Sequence, residues 1–306
     1  MSVLLETNLP IQLLQRGKVR DVYDLGDKLL IVSTDRISAF DFILPCGIPD
    51  KGKVLNQLSA FWFKETAHIV PNHLIKLIDS PDSLQDYYSG ELPDSIIARS
   101  MLVAKADRIP VECVVRGYLA GSAWVEHKNA GTANNIRLPA KMKESQILPQ
   151  PMFTPTTKSE TEHDRPLTNQ DIKNIEETFA AKLKRDNLNL MKELEEKSLL
   201  IYHYAQDYAK SKGIIIADTK FEFGFINGEL ALIDELLTPD SSRLWNASRY
   251  KIGCSQASFD KQPVRDWLLA AGWNKEPPTP TLPPEVIKAT TQRYNKIYQL
   301  LTGKHI

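Results

Sequence analysis

Residues 213–235, GIIIADTKFEFGFINGELALIDE, decide the fold of this chain. The apolar residues 213–218 predict a buried strand. Two further runs, 221–226 and 229–234, flank an Asn-Gly pair at 227–228. Asn-Gly between two alternating runs is the strongest short-range signal of a β-hairpin. We therefore expect an antiparallel hairpin at this point and an α+β fold around it.

Side chains on these strands alternate between two faces. Asp218, Lys220 and Glu222 share one face, and the three phenylalanines of the same strand share the other. The phenylalanine face is expected to pack in a core, while the charged face either meets water or lines a cleft. Asp234 and Glu235, at the end of the next strand, bring more carboxylates to the hairpin and favour the cleft.

Two registers of this hairpin are possible. A tight two-residue turn pairs Ile226 with Glu229 and places Asp234 among the phenylalanines, where an unpaired carboxylate would be costly. A three-residue turn with a bulge instead pairs Lys220 with Asp234 and puts Glu222 on the same face. We expect the bulged register, because two carboxylates beside a lysine suit Mg²⁺ and phosphate.

The composition narrows the function. The chain has 306 residues, with 38 basic and 38 acidic side chains and a formal net charge of zero. A neutral balance argues against a general nucleic-acid or membrane-surface binder, but it permits a local basic pocket for a small anion. Three scattered cysteines favour a reducing compartment, and the sequence shows neither a signal peptide nor an apolar run of about 18 residues. We expect a soluble, cytoplasmic protein.

The chain is expected to divide into three parts. We predict a β-rich N-terminal lobe over 1–107, an α/β lobe over 108–265 and a small C-terminal helical segment over 266–306. Apolar spacing and cap signals predict four helices, over residues 54–64, from Thr168 onward, over 190–210 and over 285–302.

Two short motifs could bind anions. In residues 15–21, QRGKVRD, Gly17 lets backbone N–H groups approach an anion, and Lys18 and Arg20 add charge; a plain hairpin turn with solvated charges is the alternative. In residues 114–124, Arg116 could fork onto a phosphate or carboxylate and Ser122 could cap a helix whose N-terminus binds anions. Ordinary loop and capping chemistry is the alternative there.

Two further segments are rich in polar side chains. Residues 153–164 combine hydroxyls, Lys158, Asp164 and His163, which could be a general base, although lone histidines usually are not. After the acidic hairpin, Arg243 is placed to reach the same cleft. Lys251, Lys261 and Arg265 add positive charge nearby in sequence.

Six motifs, in this order and at these separations, resemble the SAICAR synthetase family of purine biosynthesis, in its longer single-function form. They are RGKVRDVY (16–23), STDRISAFD (33–41), VECVVRGYLAGSAW (111–124), FTPTTKSETEHD (153–164), ADTKFEFG (217–224) and DELLTPDSSRLW (234–245).

The resemblance implies an activity and an architecture. ATP, L-aspartate and carboxyaminoimidazole ribotide would give the succinocarboxamide ribotide, ADP and phosphate through an acyl phosphate, with Mg²⁺ as the metal. It implies a two-lobed ATP-binding architecture, kinase-like or ATP-grasp-like, with antiparallel sheets. The enzyme would act as a monomer on small molecules, without nucleic acid, membrane or an obligate protein partner.

The resemblance also implies roles for individual residues. Those expected at ATP are Gly17, Lys18, Arg20, Val103, Ala104, Lys105 and Lys220. Those expected to be catalytic are Lys220, Glu222 and Asp234, of which Glu222 and Asp234 would hold Mg²⁺. Those expected at the substrates are Arg116, Ser122, Lys158, Asp164, Arg243 and Lys261. The proton acceptor for the aspartate amine is left open between Asp41, Asp164, Glu235 and water.

Two other functions fit a two-lobed ATP site. One is a small-molecule or protein kinase, although the sequence lacks the His-Arg-Asp and Asp-Phe-Gly motifs of protein kinases. The other is a non-catalytic nucleotide sensor.

Overall fold

The computed structural model describes residues 3–158 and 164–306. It is a mixed α+β structure with antiparallel sheets, as expected. Its helices are α1 (Lys51–Glu65), α2 (Gly121–Ala130), α3 (Asn169–Leu183), α4 (Leu190–Ser211), α5 (Gln262–Ala270) and α6 (Pro284–Thr302). Its strands are β1 (Gln12–Arg16), β2 (Arg20–Asp24), β3 (Lys28–Ser33), β4 (Arg36–Ala39), β5 (Phe42–Gly47), β6 (Leu74–Leu77), β7 (Ser100–Ala104), β8 (Asp107–Arg108), β9 (Val111–Tyr118), β10 (Thr132–Ala133), β11 (Ile136–Arg137), β12 (Ile147–Phe153), β13 (Thr156–Thr157), β14 (Ile214–Ile226), β15 (Glu229–Ile233) and β16 (Ser242–Asn246).

Two antiparallel sheets dominate the structure. The first has five strands in the order β1-β2-β3-β7-β6, all from the N-terminal third of the chain. The second follows the order β12-β9-β14-β15, with β13 paired to β9 and with β8 and β16 paired to β14. The strand β14 is therefore the centre of the second sheet, and it carries the residues that the sequence singled out.

The predicted strands 213–218 and 221–226 form one continuous strand, β14. Phe221 and Phe223 are fully buried and Phe225 nearly so, which confirms the expected packing face. On the other face, Lys220 lies 2.6 Å from Glu222, from Nζ to Oε1. The alternation read from the sequence therefore holds in this part of the strand.

The expected bulged register is wrong. Asn227 and Gly228 form a tight two-residue turn with φ of 52° and 81°, so Ile226 pairs with Glu229 and Glu222 pairs with Ile233. The prediction assumed that the strand continues through Asp234. Instead β15 ends at Ile233, and Asp234 has the left-handed φ of 71°. This bend takes Asp234 out of the pleat, so its carboxylate is not forced onto the phenylalanine face.

One main core joins the helices to both sheets. It contains residues from the first sheet, the second sheet and four of the helices, for example Ile31, Val103, Leu58, Trp62, Phe179, Phe221, Ile201, Tyr294 and Ile297. Helix α6, which was predicted over 285–302, inserts its apolar face into this core. Helix α5, only nine residues long, was missed although Pro263 in its first turn is a helix-start signal. The boundaries of the three predicted parts stay predictions.

No helix within the described residues is long and apolar enough to cross a membrane.

The turn at the tip of the hairpin supports a test of the register. Replacing Gly228 by alanine should lower the free energy of unfolding by about 1 kcal/mol, because an L-residue is strained in the left-handed region. Chemical denaturation measures this change. Glu229→Ala, at the exposed start of the next strand, is the control and should change the free energy by less than about 0.5 kcal/mol. Equal effects of the two variants would contradict the observed turn.

Candidate active site

Arg20 and Asp234 connect the two sheets by a bidentate ion pair. Arg20 lies at the start of β2, and Asp234 directly follows β15. Nη1 of Arg20 lies 2.7 Å from Oδ1 of Asp234, and Nη2 lies 2.8 Å from Oδ2. Nη2 also lies 3.8 Å from Oε1 of Glu235. Such fork-to-fork pairs are stronger and more directional than single ion pairs. The pair therefore fixes where the hairpin end meets the first sheet.

The pKa shifts of this pair show that both groups are charged at neutral pH. Burial by itself lowers the pKa of Arg20, but Asp234 and Glu235 outweigh it and raise that pKa above its ordinary value. Burial raises the pKa of Asp234, but the nearby cations, Arg20 above all and then Lys220 and Lys158, hold it well below its usual range.

Glu222 lies beside the same cations. It is buried, and both Lys220 and Lys158 form ion pairs with its carboxylate. Lys220 also lies 2.7 Å from Glu112 of β9. Burial lowers the pKa of Lys220, but Glu222, Glu112 and Asp234 together raise it above its ordinary value. We call Glu112, Glu222 and Asp234 the carboxylate cluster, since the charges of all three raise the pKa of Lys220.

The donor chemistry of this cluster fits Mg²⁺ only in part. Among residues 3–158 and 164–306, no group of three or more His, Cys, Asp or Glu side chains is arranged to hold a metal ion. Mg²⁺, however, is usually bound through one or two carboxylates together with substrate phosphates and water. A metal ion at this cluster would therefore have to arrive with a nucleotide.

The glycine-lysine loop is held by Arg36, which belongs to the motif at 33–41. The buried guanidinium donates to the carbonyl oxygens of Gly17 (2.8 Å) and Lys18 (3.2 Å) and to Asp21 (2.7 Å). The ammonium of Lys18 lies 2.5 Å from Oδ1 of Asp41. Arg36 is a structural partner that the sequence analysis missed, because nothing in the local pattern links 36 to 17.

Two arginines share one carboxylate at a second position. Arg116 of β9 and Arg243 of β16 both form ion pairs with Asp218 of β14. Burial lowers the pKa of Arg116 below its usual value despite Asp218, and the neighbouring Arg243 lowers it further. The pKa of Arg243 is raised, chiefly by Asp218. We call Arg116 and Arg243 the arginine pair.

Ser122 lies beside the arginine pair but does not cap α2. Its hydroxyl lies 3.4 Å from Nη2 of Arg116. The N-cap is Ala120, without a side-chain cap, so the expected cap was wrong. The helix begins at Gly121, so Ser122 already lies inside its first turn. A Cβ at Gly121 would lie 2.6 Å from Nη2 of Arg243, so the glycine also permits that close approach.

Two cavities open beside the arginine pair. The larger, about 520 Å³, is lined by Trp124, Arg243 and Trp245 among others. The smaller, about 130 Å³ and mostly polar, includes Asp218, Arg243 and Lys261. A third cavity of about 470 Å³ lies along α3 and is lined by none of the predicted site residues. The predicted substrate residues Arg243 and Lys261 therefore share the wall of the smaller cavity.

Lys158 and Asp164 both interact with members of the carboxylate cluster. Lys158 pairs with Glu222, and Asp164 contributes to the raised pKa of Glu112, for which burial is the main cause. The possible base His163 lies outside the described residues.

The predicted adenine strand lies at the end of β7. Val103 is buried in the main core, and Lys105 lies 2.8 Å from Asp24. The backbone N–H of Ala104 donates to the carbonyl of His73 at 2.8 Å, and the N–H of His73 donates to Leu232 of β15 at 2.9 Å.

His73 thus ties β7 to the hairpin. Burial lowers its pKa to about 4, so the imidazole is neutral at pH 7. A lone histidine outside any motif offered no signal in the sequence.

Comparisons with known proteins identify the family to which this chain belongs. A SAICAR synthetase family model matches residues 13–280. The chain is 50% identical over 306 residues to the phosphoribosylaminoimidazole-succinocarboxamide synthase of Thermodesulfovibrio yellowstonii, with 99% of each chain covered. It is similar to the solved SAICAR synthase of Saccharomyces cerevisiae complexed with SAICAR, at 40% identity, 99% coverage of both chains and a TM-score of 0.83. A type-2 SAICAR synthetase solved in complex with ADP is also similar, at 26% identity, 95% and 98% coverage and a TM-score of 0.64.

The pair between the sheets predicts a pH-dependent stability. Arg20→Met should lower the free energy of unfolding by about 2 kcal/mol at pH 7, since it removes hydrogen bonds to a charged group. The folded pKa of Asp234 lies below the unfolded value of about 3.9. The stabilisation is therefore complete above that value and is lost as the pH falls through the folded pKa.

We thus expect the difference between wild type and Arg20→Met to shrink below about pH 4. Denaturation curves at several pH values measure it. Arg249→Met, at an exposed arginine, is the control. A difference that stays constant down to pH 3 would show that the contribution of Arg20 does not depend on the ionised carboxylate of Asp234.

Proposed function

The chain belongs to the SAICAR synthetase family and is an ATP-dependent ligase that joins L-aspartate to carboxyaminoimidazole ribotide in purine biosynthesis; from this premise we propose which residues carry the reaction. The observation that supports the activity is similarity over almost the whole chain to enzymes of that name. We also propose that the enzyme acts in the cytoplasm as a monomer. Its three free cysteines fit a reducing compartment.

The nucleotide would lie between the two sheets, in a kinase-like, two-lobed arrangement of the parts 1–107 and 108–265. The adenine would lie at 103–105 and the phosphates under the loop of Gly17 and Lys18. Arg20 and Lys220, which pair with carboxylates in the structure, would meet the phosphate oxygens. Support comes from the backbone bond of Ala104 to His73, which aligns the adenine strand with the hairpin.

Glu222 and Asp234 would hold the Mg²⁺. When bound, the ion would neutralise charge on the nucleotide phosphates. The negative charges of both side chains raise the pKa of Lys220. A ligand that binds one carboxylate would therefore also change the electrostatic surroundings of the other.

The ribotide phosphate would bind at the arginine pair and Ser122. Two guanidinium groups converge on the carboxylate of Asp218, and Nε of Arg243 also lies 3.8 Å from Asp260, so the support is the placement of the two guanidinium groups rather than a net charge. Planar guanidinium groups suit the bidentate recognition of phosphate and carboxylate. Lys261 would add a cation in the adjoining small cavity.

The chemistry follows from the weakness of a carboxylate as an acyl donor. An oxygen of the ribotide carboxylate attacks the γ-phosphorus of ATP, and the bond to the ADP oxygen breaks. The aspartate amine then attacks the acyl carbon, phosphate leaves, and the amine proton passes to a base. The protein contributes mainly position and charge. Asp41, Asp164 and Glu235 stay the candidate bases; Glu235 accepts a hydrogen bond from Thr238 at 2.7 Å.

One assay tests the overall reaction. The purified chain with ATP, Mg²⁺, aspartate and the carboxylated ribotide should release phosphate, and the release should stop when aspartate or the ribotide is omitted or when EDTA is added. Phosphate release that continues without aspartate would indicate a kinase or an ATPase instead.

The metal assignment is tested by two isosteric variants. Glu222→Gln and Asp234→Asn should each reduce turnover by about 100-fold or more, because metal-assisted charge stabilisation is worth several kcal/mol. Glu229→Gln, on the same hairpin but exposed, should leave turnover unchanged. Thermal melting checks that the variants fold. If a folded variant keeps its activity, that residue does not hold the metal.

A further inference from the structure

Asp240 collects side chains from three separate parts of the chain. The ammonium groups of Lys51, the first residue of α1, and of Lys261, just before α5, both lie 2.8 Å from its Oδ2. The hydroxyl of Tyr294, in the middle of α6, donates to its Oδ1 at 2.6 Å. The side chain of Lys51 is fully buried, and that of Asp240 is 2% exposed. We call these four residues the Asp240 network.

The network holds an excess positive charge. Two ammonium groups share one carboxylate, and buried charges are costly unless they are paired and hydrogen-bonded. Burial lowers the pKa of Lys51, Asp240 opposes this, and the second ammonium of Lys261 lowers the pKa again. The Lys51 side chain is fully buried, whereas that of Lys261 is partly exposed. Lys261 is therefore the lysine of the network that a ligand in solution can contact.

Lys261 faces the small polar cavity beside the arginine pair. It lines that cavity together with Arg243 and Arg265, and its side chain is 11% exposed. The carboxylates at the cavity are Asp218, Asp240 and Asp260. Cations outnumber them once Lys51 and Arg116, which pair with two of these carboxylates, are included. The cavity is therefore suited to an anionic group.

Tyr294 decides how Asp240 divides its two oxygens. The tyrosine hydroxyl donates to Oδ1, and both lysines lie at Oδ2. Without the hydroxyl, Oδ1 would be a free acceptor in a buried site, and the more exposed lysine would turn inward to satisfy it. The positive charge at the cavity wall would then fall.

We propose that Tyr294 is a positioning residue for the anionic ribotide, since its hydroxyl orients Asp240 and so keeps Lys261 at the wall of the substrate cavity. This inference rests on the proposed function of that cavity. It gives the C-terminal helix α6 a part in substrate affinity, although α6 itself contributes no residue to the cavities beside the arginine pair.

The test is Tyr294→Phe, which removes one hydroxyl and keeps the ring. We expect the Kd of the carboxylated ribotide, titrated by calorimetry without ATP or aspartate, to rise about tenfold, the size expected for a lost hydrogen bond to a charged group. The KM for the ribotide should rise with it, while kcat and the KM for ATP change less than about twofold. Tyr208→Phe is the matched control, because its hydroxyl donates to the Leu301 carbonyl at the far end of α6, at 3.0 Å.

A double-mutant cycle separates positioning from general damage. Lys261→Met alone should weaken ribotide binding, and adding Tyr294→Phe to it should weaken binding no further. An unchanged Kd in Tyr294→Phe, an equal loss in Tyr208→Phe, or a full additional loss in the Lys261→Met background would each overturn the proposal. Because the titration needs no turnover, it still tests Tyr294 if the wild type releases no aspartate-dependent phosphate, a result that would refute only the proposed reaction.

Discussion

The bidentate pair between Arg20 and Asp234 is the interaction on which the arrangement of the site depends. It joins the first strand pair of the molecule to the hairpin 214 positions later. Either charge alone would be costly to bury at this position, so each requires the other. The backbone bonds from His73 to β7 and β15 strengthen the same junction. The two sheets therefore meet where carboxylates and cations from both are concentrated.

A neutral chain can still bind several anions because its charges are shared unequally. Three carboxylates are each held by two cations: Asp218 by Arg116 and Arg243, Glu222 by Lys158 and Lys220, and Asp240 by Lys51 and Lys261. Lys220 also pairs with Glu112, and Nε of Arg243 lies 3.8 Å from Asp260, so among these three sets the one at Asp240 keeps an excess positive charge. Cations from distant parts of the chain are thus gathered at a few positions, which is how a formal charge of zero is compatible with anionic substrates.

Backbone strain accompanies these charges. Phe40, Asp41, Asp234 and Leu237 all have positive φ although none is glycine. Asp41 pairs with Lys18 of the glycine-lysine loop, and Asp234 pairs with Arg20. Such residues cost free energy and persist where the surrounding structure holds them, which is common at functional sites. At Asp234 the strained conformation is what turns the carboxylate from the sheet toward its partner.

Much of the local structure follows from the sequence alone. The Asn-Gly turn, the phenylalanine face of β14, the capping box at Thr168 and the helices α4 and α6 depend on residues a few positions apart, whose preferences act within each segment. The same local alternation placed Lys220 beside Glu222. The bend at Asp234, the partner of Asp234 and the Asp240 network were decided only by the tertiary structure. The network depends on contacts between residues far apart in the chain, such as Tyr294 and Asp240, and the position of Asp234 depends on a single backbone bend. Neither produces a periodic pattern in the sequence, so neither could be predicted from it.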